Sequence, residues 1–112
     1  MTTISFSSFS KCLSFNATGH ACYAPIGEDI VCSAISTLAF TLAQYLLQKS
    51  AEGVISEPDI EIKDDGDITI RCEARTDEEY KFLKNTFEMA ECGYVLLQNT
   101  YPKHVSIKKC NP

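Results

Sequence analysis

Basic residues are in short supply in this sequence. Lys and Arg together number 10 against 15 Asp and Glu, leaving a formal charge of −5 and an isoelectric point near 4.9. That balance argues against a surface built for phosphate backbones, which calls for clustered Lys and Arg, and it fits a basic partner better. Acidic side chains concentrate between Glu57 and Glu79, so that half would steer a positively charged peptide, although an acidic surface also serves plain solubility. A secretory leader is missing as well, because residues 1–14 lack a basic stretch followed by a continuous apolar block; the expectation is a cytoplasmic protein. No Cys-x-x-Cys pair occurs, which removes a common zinc-ligand spacing. At 112 residues the chain is long enough for one hydrophobic core and too short for two, so a single domain over residues 1–112 is expected.

What the chain does have is cysteine and one long uncharged run. The six cysteines, at 12, 22, 32, 72, 92 and 110, could form a disulfide framework in an oxidising compartment. They fall within periodic segments, however, and in a reducing compartment all but Cys32 read as small core residues. The run from Ile30 to Gln48 carries no charge and is long enough to span a bilayer. Ser33, Ser36, Thr37, Thr41, Gln44 and Gln48 interrupt it, and the rest of the chain alternates polar and apolar residues. A central buried helix without membrane contact is therefore expected.

Periodicity supplies the other elements. Ile4, Phe6 and, after a slip, Phe9 alternate with serines, and Leu13, Phe15 and Ala17 repeat the pattern within 11–18. These read as two half-buried strands joined through 7–11, a hairpin of open register because no Asn-Gly marks its turn. A helix is expected from about Asp29, a suitable N-cap, to near Ser50, with Gly53 beyond it. Val31, Ile35, Leu38, Leu42 and Tyr45 mark one face, while Phe40, Leu46 and Leu47 spread the apolar surface round. Such a helix needs cover on more than one side, from the sheet and a second helix or from a second subunit. Strands over 59–63 and 67–74 flank the Asp65–Gly66 pair of a type I′ turn. Thr76 and Glu79 form a capping box opening a helix whose stripe runs Tyr80, Leu83, Phe87, Ala90, Tyr94, Leu97, Tyr101. It continues through Gly93, which needs a reason such as close packing, to a stop at Pro102. Residues 105–109 form a last strand, leaving His104 at its edge in a structural or solvated role. The order ββαββαβ implies an α+β (mixed α/β) domain, two helices packed on a mixed sheet.

Chemistry concentrates between Thr18 and Ser36. His20 closes the second strand, and Cys32 sits in the first turn of the apolar helix, where unpaired N–H groups and the helix dipole favour thiolate. The eleven residues between them, with Pro25 and Gly27, form a loop able to bring nucleophile and base together. Asp29, the N-cap, is mainly structural, since a carboxylate beside the sulfur opposes its ionisation; orienting His20 is a second possible role. Ser36, one turn beyond Cys32, either reaches toward the thiol or bonds its own helix carbonyls.

Gly19 and His20, Gly27, Asp29 to Cys32, Ser36, and Tyr101 to Val105 occur here in an order and spacing that resembles the ribosomal-processing cysteine protease family Prp. The likeness spans nearly the whole chain and departs at Cys22, where a small residue, typically glycine, is expected. It implies a cysteine endopeptidase with His20 and Cys32 catalytic and Gly19, Asp29 and Ser36 supporting. It further implies a mobile loop over the site, a homodimer, and as substrate the N-terminal extension of a large-subunit bacterial ribosomal protein, L-twenty-seven. No cofactor is implied, and neither nucleic acid nor membrane is an expected direct partner. Two other readings stand beside it: a non-catalytic ribosome-associated binding module with an incidental thiol, and a metal site built from His20, Cys22 and Cys32 with His104 as a borrowed ligand.

Overall fold

The computed structural model describes residues 1–25, 29–63 and 66–110. Strands β1 (Thr2–Phe9) and β2 (Cys12–Thr18) are followed by helix α1 (Ile30–Ala51). Strands β3 (Asp59–Ile62) and β4 (Ile68–Glu73) come next, then helix α2 (Asp77–Thr100) and strand β5 (Val105–Cys110). The strands form one sheet in the order β3-β4-β2-β1-β5, in which β5 runs parallel to β1 and the other neighbours are antiparallel. The ββαββαβ order and two helices on a mixed sheet agree with expectation.

Alternation sets which face of the sheet is buried. Ile4, Phe6, Leu13, Phe15, Ile68 and Ile70 point to one side and share a core with Val31, Ile35, Leu42 and Leu46 of α1 and Leu83, Phe87 and Tyr94 of α2. The other side carries Ser5, Ser7, Ser14, Asn16 and Thr69, all half-exposed. Phe15 stacks on Tyr94 with ring centroids 5.5 Å apart, and Phe6 meets Phe15, Phe87 and Tyr94 at tilted or edge angles. Each such side chain contributes about 1.5–3 kcal/mol by leaving water. The Tyr94 hydroxyl, fully buried, donates to the Ile35 carbonyl at 3.0 Å, which avoids the penalty of an unpaired polar group.

Several elements differ from the sequence expectations in detail. β1 runs on to Phe9, so the first hairpin turns on two residues, Ser10 and Lys11, at φ 48° and 65°, with Phe9 paired to Cys12. Positive φ at both central positions is the type I′ geometry matching strand twist, adopted without the usual Asn-Gly. Phe9 consequently points to solvent. In the second hairpin Lys63 N–H donates to the Asp67 carbonyl and Gly66 N–H to the Lys63 carbonyl, in register with Ile62–Ile68. Asp65 of the expected Asp65–Gly66 turn lies, with Asp64, outside the described residues. Gly66 takes φ 92°, in the left-handed region that favours glycine.

The helices follow their end signals. Asp29 caps α1, and a Schellman motif closes it, Gly53 N–H donating to Ser50 and Val54 N–H to Lys49. Thr76 Oγ1 accepts from Glu79 N–H as expected, but the Glu79 carboxylate returns to the Arg75 N–H and guanidinium instead of the Thr76 N–H. α2 passes through Gly93, where a Cβ would lie 2.9 Å from both Cδ atoms of Leu38; close contact between the helices is the packing reason. The buried stripe of α1 is Val31, Ile35, Ala39, Leu42, Ala43 and Leu46. The expected members Leu38 and Tyr45 lie beside it, half-buried and 39% exposed. Length and hydropathy alone would let α1 cross a membrane, yet that stripe belongs to the core.

The cysteines require a correction. Cys72 alone is fully buried, where desolvation and then the nearby Cys12 push its thiol up to about 12. Cys12 is half-buried, and Cys22, Cys92 and Cys110 are exposed. All are free thiols. The periodic segments holding Cys92 and Cys110 place them on outward positions, which composition could not distinguish from inward ones.

Candidate active site

Gly19 begins the site. Its φ is 86°, and a Cβ there would sit 2.7 Å from the Met1 carbonyl oxygen, so the chain can leave β2 at this angle only with glycine. Thr2 Oγ1 donates to the Gly19 carbonyl at 3.3 Å, and Gly19 N–H donates to Asp67 Oδ1 at 3.1 Å. His20 is thus delivered, exposed, from a fixed point between the N-terminus and the β3–β4 hairpin. Ala21 follows, fully buried, and then Cys22 at φ 56°. A left-handed residue at this position accounts physically for the expectation of glycine there.

Asp29 ties the loop to the helix. Its Oδ1 accepts from Cys32 N–H at 2.9 Å, and its Oδ2 accepts from Tyr23 N–H at 2.9 Å and Ala24 N–H at 3.3 Å. The carboxylate is only 7% exposed. Burial alone would raise its pKa; the N–H groups of Cys32, Ala24 and Tyr23, joined by the Cys32 thiol, outweigh it and hold the carboxyl below the usual carboxylate value. As expected of an N-cap, Asp29 directs its oxygens at backbone N–H groups. Gly27, a further expected loop residue, lies outside the described residues.

His20 and Cys32 line one cavity of about 180 Å³. Gly19 and Ser36 share its polar side; Ala17, Ile35, Ala39 and Ile68 form an apolar floor, with the half-exposed Phe40 at the rim. Thr37 bonds back to the Ser33 carbonyl and Thr41 to the Thr37 carbonyl, and Ser36 lines the cavity. The helix-start amides are not all available to an oxyanion: Cys32 N–H is held by the Asp29 side chain and Ser33 N–H by the Asp29 carbonyl. The N–H directed at the sulfur is that of Ala21, 3.4 Å from Cys32 Sγ.

Of the structural and solvated roles expected for His104, its contacts fit the structural one. Its Nδ1 lies 2.8 Å from the Ala21 carbonyl, its own carbonyl accepts from Thr2 N–H, and Tyr23 packs edge-on against it and against Tyr101. It does not join His20, Cys22 and Cys32: among the described residues no three His, Cys, Asp or Glu side chains are grouped as metal ligands. Ala21 and the apolar floor were missed by sequence reasoning. The pattern Tyr101–Val105 was the available signal for the His104 link, because it placed a second histidine in a fixed motif without saying what it touches.

A family model described as "Cysteine protease Prp" matches residues 1–106. No curated protein sequence gives a match. Among solved structures, the Staphylococcus aureus ribosomal processing protease Prp with a covalently linked product peptide superposes at TM-score 0.76 and 21% identity. It covers 98% of this chain and 100% of that one. The same protease with a substrate peptide gives 0.72 and 19%, with 98% and 100% covered. SMU.848 from Streptococcus mutans gives 0.72 and 26%, with 100% and 96% covered. At 21% and 19% identity the two protease likenesses speak for the fold.

Proposed function

The chain belongs to the cysteine protease Prp family, and from that premise we propose that it removes the N-terminal extension of a large-subunit ribosomal protein, L-twenty-seven, with Cys32 as nucleophile and His20 as acid–base partner. The observation that carries this reading is that a histidine at the end of β2 and a cysteine in the first turn of α1 line the same open cavity. The solved relatives described as ribosomal processing proteases support the substrate class.

In this mechanism the Cys32 sulfur, its proton passed to His20, attacks the scissile carbonyl. The carbonyl electron pair moves onto oxygen and returns as the C–N bond breaks. His20 gives its proton to the leaving amine, and a water, deprotonated by the same imidazole, then releases the acyl group from sulfur. Gly19 and Asp29 fix the two ends of the loop between these groups, and Ser36 supplies a hydroxyl to the cavity wall. The protein works in the cytoplasm, as a homodimer, without a cofactor and without direct contact to nucleic acid or membrane. Ile30, Phe40 and Leu47, all exposed on α1, are the apolar side chains a second copy would cover.

Incubation with the ribosomal-protein precursor, followed by intact-mass measurement, tests the reading. The parental chain should release one N-terminal peptide. Cys32→Ala and His20→Ala should each lower the rate by at least about 10³-fold while leaving circular dichroism and thermal midpoint near parental. Cleavage by Cys32→Ala at the parental rate would exclude the assignment.

A further inference from the structure

An acyl transfer needs a donor for the carbonyl oxygen as negative charge develops on it, placed within hydrogen-bond reach of where that oxygen will sit. The usual candidate beside a nucleophile at a helix start is its own backbone N–H. Here Cys32 N–H is committed to Asp29 Oδ1 at 2.9 Å and Ser33 N–H to the Asp29 carbonyl at 3.1 Å. The amide aimed at the sulfur belongs to Ala21, at 3.4 Å from Sγ.

The geometry points to Ala21 N–H as the oxyanion donor of this site, with His104 as the residue that positions it; the inference rests on the cysteine-protease reading above and deepens it. When the Sγ–C bond forms and the carbonyl pair moves onto oxygen, the oxygen lies two bonds from the sulfur that the amide already faces. A small displacement transfers the hydrogen bond from sulfur to oxygen. When the pair returns and the C–N bond breaks, the amide regains its starting contact.

Ala21 is held on both sides. Its side chain is fully buried, which limits rotation about its own backbone. Its carbonyl is bonded to His104 Nδ1 at 2.8 Å, and because a carbonyl oxygen only accepts, that nitrogen carries the hydrogen. His104 is itself anchored through its backbone to Thr2 and through its ring to Tyr23. It does not itself line the cavity that holds the reacting sulfur, so it is a positioning residue.

Three readouts on the full chain test this. The first is turnover of the ribosomal-protein precursor. The second is affinity for a peptide aldehyde carrying the four residues before the cleavage point, which adds to Cys32 as a tetrahedral hemithioacetal. The third is alkylation of Cys32 by iodoacetamide, followed by peptide mapping. Alkylation displaces iodide at a saturated carbon and forms no oxyanion, so it reports the thiol alone. His104→Ala should lower kcat and aldehyde affinity together by about 10–100-fold, short of full loss of an oxyanion donor, with KM and alkylation rate within about twofold of parental. His104→Asn, whose amide N–H occupies nearly the place of Nδ1–H, should recover most of both.

Parental kcat and aldehyde affinity in His104→Ala overturn the proposal, and so does a fall in alkylation by the same factor as turnover. If the parental chain neither cuts the precursor nor binds the aldehyde, the protease reading fails instead. Should His104→Ala not fold, an ester in place of the His20–Ala21 amide, introduced by ligation at Cys22, deletes the N–H alone. It should cost about 10²–10³-fold in kcat, and parental kcat in the ester-linked chain overturns the assignment of Ala21.

Discussion

At the scale of single residues the site depends on one buried carboxylate. Asp29 accepts three backbone N–H groups, two from the loop after His20 and one from Cys32. Asp29→Asn keeps the size and one acceptor, but its amide nitrogen would face N–H donors on the loop side, donor against donor. The variant should be less stable by about 1–3 kcal/mol, measured by urea unfolding. The difference also has a defined pH dependence. A carboxyl whose folded pKa lies below its unfolded value contributes stability above the unfolded value and loses it as pH falls through the folded one. The gap between parental chain and Asp29→Asn should therefore be full at neutral pH and shrink below about pH 4. A gap that stays constant to acid pH would mean that the carboxylate charge contributes nothing. The helix-start position of Cys32 and the N-cap were readable from the residues Asp-Ile-Val-Cys alone, because capping is local chemistry. That the same carboxylate also holds Tyr23 and Ala24 was not, since nothing in the string says which loop amides return to it.

Among the elements, the α1–α2 contact shows what sequence periodicity conveys and what it leaves open. The three- and four-residue spacing from Tyr80 to Tyr101 identified α2 and carried it correctly past Gly93, and the demand for a packing reason there was met by Leu38. The face of α1 was less legible: a run apolar on all sides offers no contrast, so Leu38 and Tyr45 stood in for Ala39 and Ala43, small residues that let neighbouring elements approach. The register of the first hairpin stayed open for a related reason, because Ser10 and Lys11 accept a left-handed turn without its usual residues. Gly93→Ala should be near neutral, its helix-propensity gain of about 1 kcal/mol offset by displacement of the Leu38 side chain. In a Leu38→Ala background the same change should stabilise by about 1 kcal/mol. Equal effects in both backgrounds, by thermal or urea unfolding, would show that the two side chains do not meet.

On the scale of the whole molecule, two layers leave α1 with one apolar side uncovered. Phe40 and Leu47, seven residues apart on one face, are 51% and 45% exposed, and Phe40 also borders the cavity. If a second copy covers them, Phe40→Glu should shift sedimentation from dimer to monomer at micromolar concentration while the monomer stays folded. An unchanged sedimentation coefficient would assign that face to something other than a dimer. The catalytic reading itself turns on whether Cys32 becomes covalently bound to the substrate. Rapid acid quench of the chain during turnover of the ribosomal-protein precursor, followed by intact mass and peptide mapping, observes this directly. The account predicts a thioester to the released N-terminal segment on the peptide containing Cys32, decaying as product accumulates and absent in Cys32→Ser. Product forming with no adduct under conditions that trap thioesters, or an adduct carried by Cys22 or another thiol, would contradict it.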